Sequence, residues 1–179
     1  MNEANPYITP DASLDNEQDE LYQPSIFSFK GRIGRLRYLA YGIGTSLILM
    51  LVMMPILGGT MFAGGMVGGE AAMGGLAMGA MILFYVATLV FSVMFGKRRL
   101  NDLNRSGWWF LLFIVPIANF IMAIYVIFFP GTENSNNFGP APVANTLGVK
   151  ILAWILPVIF IVGMVAAIVI PTLSGMTPR

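Results

Sequence analysis

The amino-acid sequence predicts an all-α, polytopic membrane protein with four transmembrane helices and a cytoplasmic N-terminus. Three observations support this class. The chain of 179 residues is 56% hydrophobic and only 11% charged, and so few charges would not cover the surface of a soluble domain. Four apolar runs of about twenty residues are long enough to cross a bilayer as helices. The basic residues cluster beside these runs, as they do in cytoplasmic loops.

Residues 1–24 are polar and acidic. They contain six of the nine acidic residues of the chain and three prolines, with too few apolar side chains to bury a core, so we expect a disordered tail. The segment lacks the basic start and short apolar core of a cleaved signal peptide, so we expect it to be retained.

A first basic segment follows, in which cations alternate with aromatic and aliphatic side chains. This pattern is typical of a chain at the level of the lipid headgroups, where aromatic rings enter the interface and cations meet anionic lipid. Residues 36–57 are then predicted to form the first span. The cations of the segment are Lys30, Arg32, Arg35 and Arg37.

Residues 58–79 are rich in glycine pairs and methionine, and three interpretations are open. The favoured one is a flexible or hairpin-forming connector outside the membrane, because glycine makes an ordered backbone costly. Alternatively, the spacing of Gly64 and Gly68 would let helices approach closely, or the methionines would bind Cu(I). Residues 76–95 are predicted to form the second span.

The second basic segment contains a single acid, Asp102, within one helical turn of three cations, so that it is able to pair with any of them. We expect Asp102 to organise the two basic segments rather than to act as a catalyst. Ser106 is placed to cap the next helix, and Trp108 and Trp109 are typical of the membrane interface. The cations of the segment are Lys97, Arg98, Arg99 and Arg105.

Residues 108–129 are predicted to form the third span, broken at Pro116 and Asn119. Because an amide is costly in lipid, we expect Asn119 to face protein and to hold a kinked helix by a hydrogen bond. A re-entrant hairpin at this site is the alternative. Residues 130–142 are a turn-rich polar loop, and residues 143–179 add a fourth span over 147–170, ended by Pro171, with a short tail.

The charge distribution orients the first half of the chain. With four spans, nine of the ten basic residues are cytoplasmic and only Lys150 lies outside, as the positive-inside rule requires. A re-entrant third run would move Lys150 inside and Arg179 outside, which again gives nine to one. Charge counting therefore does not determine the membrane topology of the second half of the chain.

Three motifs occur in a fixed order along residues 25–142. They are Phe27-x-Phe29-x-Gly31-Arg32-x-x-Arg35-x-x-Tyr38, then Arg98-Arg99-Leu100-x-Asp102-x-x-Arg105-Ser106-Gly107-Trp108-Trp109, then Pro130-Gly131-Thr132 with Asn136-x-Phe138-Gly139-Pro140-x-Pro142. Together they resemble the small bacterial membrane proteins called domain of unknown function 805. The resemblance implies a multi-pass bacterial inner-membrane protein and no known activity. Asn101 stands where that family usually has histidine.

The residues favour a non-enzymatic structural or interaction protein whose eight clustered cations bind anionic lipid or an acidic partner. A homo-oligomer or another membrane protein is a further candidate partner, and no nucleic-acid partner is expected. A small oligomeric transporter or channel is the alternative. The chain has no cysteine and no histidine, so we expect no catalytic residue, metal or cofactor. An enzyme would have to use Asp102, Glu133 or Ser106, and none has a base at motif spacing.

Overall fold

A computed structural model of the protein describes residues 21–67 and 70–174. It contains α1 (Arg35–Val67), α2 (Glu70–Asp102), a 3₁₀ helix (Gly107–Ile114), α3 (Pro116–Phe128) and α4 (Leu147–Ser174). The predicted all-α class is confirmed. Residues 1–20 of the acidic tail lie outside the described residues. The prediction of disorder is wrong for residues 21–24, because the amide of Tyr22 donates to the carbonyl of Ala141 (2.9 Å) and the carbonyl of Tyr22 accepts from the amide of Val143 (3.0 Å).

Three of these helices, α1, α2 and α4, are long and apolar enough to cross a membrane. Their apolar windows bury no more than 6% of their residues inside the protein, so most of their side chains are left to face lipid. Helix α1 lies in the middle and packs against both α2 and α4, whereas α2 and α4 do not pack against each other over the described residues.

The glycine-rich connector is helical wherever it is described. Helix α1 continues to Val67 and α2 begins at Glu70, so the prediction of a flexible loop is wrong for residues 58–67 and 70–79. A helix satisfies every backbone hydrogen bond internally, and this outweighs the low helix propensity of glycine where water is excluded. Gly58 and Gly75 face open space and mark no close helix contact. The Gly64–Gly68 spacing falls partly outside the described residues.

The third apolar run is not one spanning helix. It is split at Val115 into the eight-residue 3₁₀ helix and the thirteen-residue α3, which rise roughly 16 and 20 Å, each short of the roughly 30 Å hydrocarbon core. Gly107, at its start, lies against Lys97, and the carbonyl of Phe129, at its end, accepts a hydrogen bond from Arg99. Both ends therefore lie beside the C-terminal end of α2, and the re-entrant alternative describes the run.

This geometry changes the count of spans from four to three. Because the run returns, α4 begins at the same end of the molecule as α1. The guanidinium of Arg37 donates to the carbonyl oxygens of Val143 (2.7 Å) and Ala144 (2.9 Å), just before α4. We call this end, where α1 and α4 begin and α2 ends, the basic end. Lys150 lies near it rather than on the opposite side.

The protein core is also at the basic end. One cluster contains Leu100, Leu103, Met122 and Val126 and joins α2 to α3; the other contains Ile33, Met94 and Phe95. At the far end, α4 runs through Pro171 to Ser174, beyond the predicted boundary at residue 170, and Pro171 does not end it.

Candidate functional site

The end of α2 is closed by a residue in the left-handed region. Asn104 has φ 55°, the amide of Arg105 donates to the carbonyl of Leu100 (2.8 Å), and the amide of Asn104 donates to Asn101 (3.0 Å). This pair of bonds is the Schellman motif, in which asparagine substitutes for the usual glycine. It ends the helix at Asp102, so the side chains of the last turn lie at the basic end.

Asp102 joins the two basic segments. Its Oδ1 accepts hydrogen bonds from Nε (3.3 Å) and Nη2 (3.2 Å) of Arg32, and its Oδ2 accepts one from Nη1 of Arg99 (2.7 Å). The side chains of both arginines are fully buried and that of Asp102 is 4% exposed. Buried charges of this kind are tolerated only when they are paired and hydrogen-bonded. We call Arg32, Arg99, Asp102 and Thr132 the Asp102 junction.

The loop after α3 completes the junction. The amide of Thr132 donates to the backbone carbonyl of Asp102 (2.9 Å), and Arg32 donates to the Thr132 hydroxyl (2.7 Å) and to the carbonyl of Asn134 (2.8 Å). A Cβ atom on Gly131 would lie 1.9 Å from Oδ2 of Asp102, so only glycine fits beside the carboxylate. Residues 130–142 therefore lie at the basic end, not on the far side of the membrane.

The guanidinium groups of Arg32 and Arg99 also donate hydrogen bonds to backbone carbonyls. Arg99 donates from Nε to Val126 (2.7 Å) and from Nη2 to Phe129, the last residues of the re-entrant run. Arg32 also donates to Gly139 (3.1 Å). These bonds hold the end of α3 and the following loop on the end of α2.

Of the eight cations predicted to bind lipid or a partner, four are buried and four are exposed. Arg98 is buried like the two junction arginines, and its Nη1 donates to the carbonyl of Ser25 (2.8 Å). Arg37 is 3% exposed and holds the start of α4. The prediction of one basic surface is therefore corrected for Arg32, Arg37, Arg98 and Arg99, because their side chains are buried and each donates at least one hydrogen bond to a backbone carbonyl. The exposed cations are Lys30, Arg35, Lys97 and Arg105.

Two of the exposed cations share a cavity of about 750 Å³. Lys30 comes from the first basic segment and Lys97 from the second, and both line its wall together with polar Asn101 and Ser106. The rest of its wall is apolar: Phe29, Val93, Trp108, Phe110, Leu111 and Phe138. A mixed wall of this kind suits a ligand with an anionic group and an apolar body.

Among the described residues, no group of three acidic side chains is placed to hold a metal ion. Asp102 is enclosed by its two arginines, and Glu133 is exposed.

Comparison with known proteins assigns the family. The model for the protein family of unknown function DUF805 matches residues 26–140. The chain belongs to the DUF805 family. The match contains the Asp102 junction and ends before α4.

Two curated relatives of the DUF805 chain are inner-membrane proteins of Escherichia coli K12. YhaH is 44% identical over 45 residues, which cover 25% of the chain and 37% of YhaH. YhaI is 36% identical over 61 residues, which cover 34% of the chain and 52% of YhaI. The chain thus matches about a third to a half of the length of these relatives. No solved structure is significantly similar. With the three spanning helices, these relatives confirm a multi-pass inner-membrane protein.

The other predicted site residues of this DUF805 protein make local contacts along the re-entrant run. Ser106 is the N-cap of the 3₁₀ helix and accepts from the amide of Trp108 (3.4 Å). Arg105 lies over the ring of Trp109, 5.1 Å from its centroid. Asn119 donates to the carbonyl of Phe113 (2.9 Å) across the break in the re-entrant run, but its side chain is exposed, so the expectation that it faces protein is wrong.

Sequence reasoning did not assign contacts to Gly131, Thr132 or Asn136. Asn136 donates to the carbonyl of Asn101 (2.9 Å) and to the hydroxyl of Thr132 (2.8 Å). The three residues belong to a glycine- and asparagine-rich turn within the DUF805 match. A four-span topology puts this turn on the opposite side of the membrane from Asp102, so it predicts no contact between them.

Proposed function

We propose that this DUF805 protein is a non-enzymatic membrane protein whose basic end binds anionic phospholipid. The observation that carries the proposal is the cavity shared by Lys30 and Lys97. It brings together two lysines that form no ion pair among the described residues, two polar side chains and an apolar wall. A lipid phosphate would lie between the two ammonium groups, and its glycerol and acyl portions would lie against Phe29, Trp108 and Leu111.

The position of the cavity supports a lipid rather than a soluble ligand. It lies where α2 leaves its apolar window, and the rings of Phe29 and Trp108 beside it are 48% and 78% exposed. Aromatic side chains at this level are typical of the membrane interface. By the positive-inside rule the basic end is cytoplasmic, where anionic lipid attracts each nearby lysine or arginine.

A non-enzymatic role is supported by how the candidate catalytic groups are used. The carboxylate of Asp102 has both oxygens bonded to arginine and its side chain is only 4% exposed, so a substrate has little access to it. The hydroxyl of Ser106 caps a helix and has no histidine to activate it, since the chain contains none. A transporter is less well supported, because the cavity between α1 and α2 is lined by the hydroxyl groups of Thr45, Ser46, Thr88 and Ser92 without any charged side chain.

The proposal is tested with the fluorescence of Trp108 in the variant W109F/W154F, reconstituted into vesicles. Quenching is measured with brominated phosphatidylglycerol and, separately, with brominated phosphatidylcholine. We expect a preference for the anionic lipid, and we expect Lys30→Gln with Lys97→Gln to reduce it roughly 25-fold, since each cation near the surface contributes about fivefold.

The matched control is Arg35→Gln with Lys150→Gln, which removes the same charge from the basic end away from this cavity. It should leave the preference at Trp108 unchanged. An equal loss in both double variants would indicate general surface charge and would contradict a site. Absence of any anionic preference in the parent protein would also reject the proposal, and selective binding of an acidic peptide instead would point to a protein partner.

A further inference from the structure

Another cavity lies between α1, α3 and α4. Its volume is about 820 Å³, and it is open to the lipid because Trp154 and Phe160 are 59% and 71% exposed. Its wall is apolar except for one exposed cation, Arg35, at the start of α1. The apolar wall includes Leu39, Ile43, Ile127, Trp154, Pro157 and Phe160.

A second cation belongs to the same face. Lys150, Ala153, Trp154 and Pro157 follow the spacing of i, i+3, i+4 and i+7, so they share one side of α4. The last three line the cavity, and Lys150 is exposed one turn before them. The re-entrant run is what places Lys150 here, because it makes α4 start at the basic end.

The two cations lie at different depths. Helices α1 and α4 run in the same direction, and a Cβ atom on Gly44 would lie 3.0 Å from the side chain of Leu152, which gives the register between them. Counting from that contact, Lys150 lies about 10 Å deeper than Arg35 along the helix axis. Side chains on a helix tilt toward its N-terminus, and a lysine stem extends along apolar surface to reach water. The ammonium of Lys150 is therefore directed back toward the level of Arg35.

The groove is about as long as one leaflet with its headgroups. On the same register it extends from Arg35 on α1 to Phe160 on α4, about 25 Å, compared with roughly 20–22 Å for half of a bilayer of about 40–45 Å. Both cations lie in its outer half and its inner half is apolar, so the groove has the polarity of a phospholipid, with an anionic headgroup outside and an acyl chain inside.

We infer that this groove is a separate binding site for one anionic phospholipid of the leaflet at the basic end. Its phosphate contacts Arg35 and Lys150, and an acyl chain lies along Leu39, Trp154 and Phe160. The inference rests on the proposed function only for the class of ligand. The site uses different residues, and its whole α4 wall follows the matched DUF805 region, which ends at residue 140.

The test uses Trp154, which lies inside the groove. In the full chain carrying W108F/W109F, Trp154 is the sole tryptophan, and its quenching by brominated phosphatidylglycerol is compared with quenching by brominated phosphatidylcholine. We expect an anionic preference that falls roughly 25-fold in Arg35→Gln with Lys150→Gln. The matched control, Lys30→Gln with Lys97→Gln, should leave it unchanged.

The outcomes separate the two sites. A preference at Trp154 that is lost only with Arg35 and Lys150 supports this groove whether or not the site at Lys30 and Lys97 exists. Equal quenching by the two lipids overturns the inference. Absence of quenching by either lipid also overturns it, since the groove would then be covered by protein, such as a second copy. Native mass spectrometry of the chain with its three tryptophans provides a second readout, in which Arg35→Gln with Lys150→Gln should lose one bound phosphatidylglycerol.

Discussion

At the scale of single residues, the most consequential finding is the burial of arginine. Arg32, Arg98 and Arg99 are fully buried although the sequence pattern indicates a solvated basic face. Arginine suits this role because its planar guanidinium carries five donors and distributes them over several acceptors. Asp102 supplies the counter-charge for Arg32 and Arg99, and backbone carbonyls accept hydrogen bonds from all three arginines.

Replacing Asp102 should therefore disrupt the basic end. In Asp102→Asn, Arg32 and Arg99 stay buried without a counter-charge, and we expect the free energy of unfolding to fall by about 3–5 kcal/mol. The measurement is unfolding of the purified protein by SDS in mixed micelles, followed by circular dichroism.

Glu133→Gln is the matched control for this change. It removes one negative charge from the same end of the molecule, but Glu133 is exposed, so its effect should remain within about 0.5 kcal/mol. A loss of stability in Asp102→Asn no larger than that of the control would show that the junction does not hold the two basic segments together.

At the scale of secondary-structure elements, the end of α2 determines where the junction forms. The helix must stop at Asp102 so that the chain turns back as the 3₁₀ helix and then α3. Asn104 provides this stop through its positive φ of 55°, which a β-branched residue adopts only with strain. The break at Val115 and the bond from Asn119 to Phe113 then return the chain to the same end.

Two substitutions at Asn104 test this stop. Asn104→Val should lower the free energy of unfolding by roughly 1–2 kcal/mol, because a β-branched side chain is strained in the left-handed region. Asn104→Gly should be neutral or slightly stabilising, because glycine adopts this conformation freely. Thermal unfolding in detergent compares them. If glycine were as harmful as valine, the asparagine side chain rather than its backbone conformation would be responsible.

At the scale of the whole molecule, the re-entrant run decides the topology. Three helices cross, and the loop 130–142 returns to the end that carries Lys30 and Lys97. The start of α1, the turn 103–106 and the loop 129–146 then share one side, and the C-terminal end of α4 lies on the other. All nine basic residues of the described part of the chain, now including Lys150, lie on the first side, so the positive-inside rule is satisfied as well as with four spans.

Cysteine labelling distinguishes the two topologies directly, because the chain contains no cysteine. We expect Asn137→Cys, in the exposed part of the loop, to react with a membrane-impermeant maleimide only after the inner face is made accessible. Thr172→Cys, at the far end of α4, should react from outside in intact spheroplasts. The reverse pattern would establish four full spans and would contradict the re-entrant run.

Much of the architecture was predictable from local pattern. Residues 36–57, 76–95 and 147–170 all lie within helices that are long enough to span, because length and apolar composition alone specify such helices in lipid. The Ser106 cap follows from its position before an apolar run. The helical form of residues 58–67 and 70–79 differs from the prediction, because the high glycine content disfavours a helix in water, whereas in lipid the backbone has no other hydrogen-bond partner.

The sequence by itself determined that this is a helical inner-membrane protein, which segments are basic, and that Asp102 is the acid placed to join them. Only the tertiary structure decided which cations are buried, since Arg32 and Arg99 find their acceptors in residues about 30 to 100 positions away. It also decided the side on which Lys150 lies, because one break at Val115 reverses the chain. The physical reason is that apolar length and charge clustering are local properties, whereas a buried guanidinium depends on carbonyls that only the folded chain brings to it.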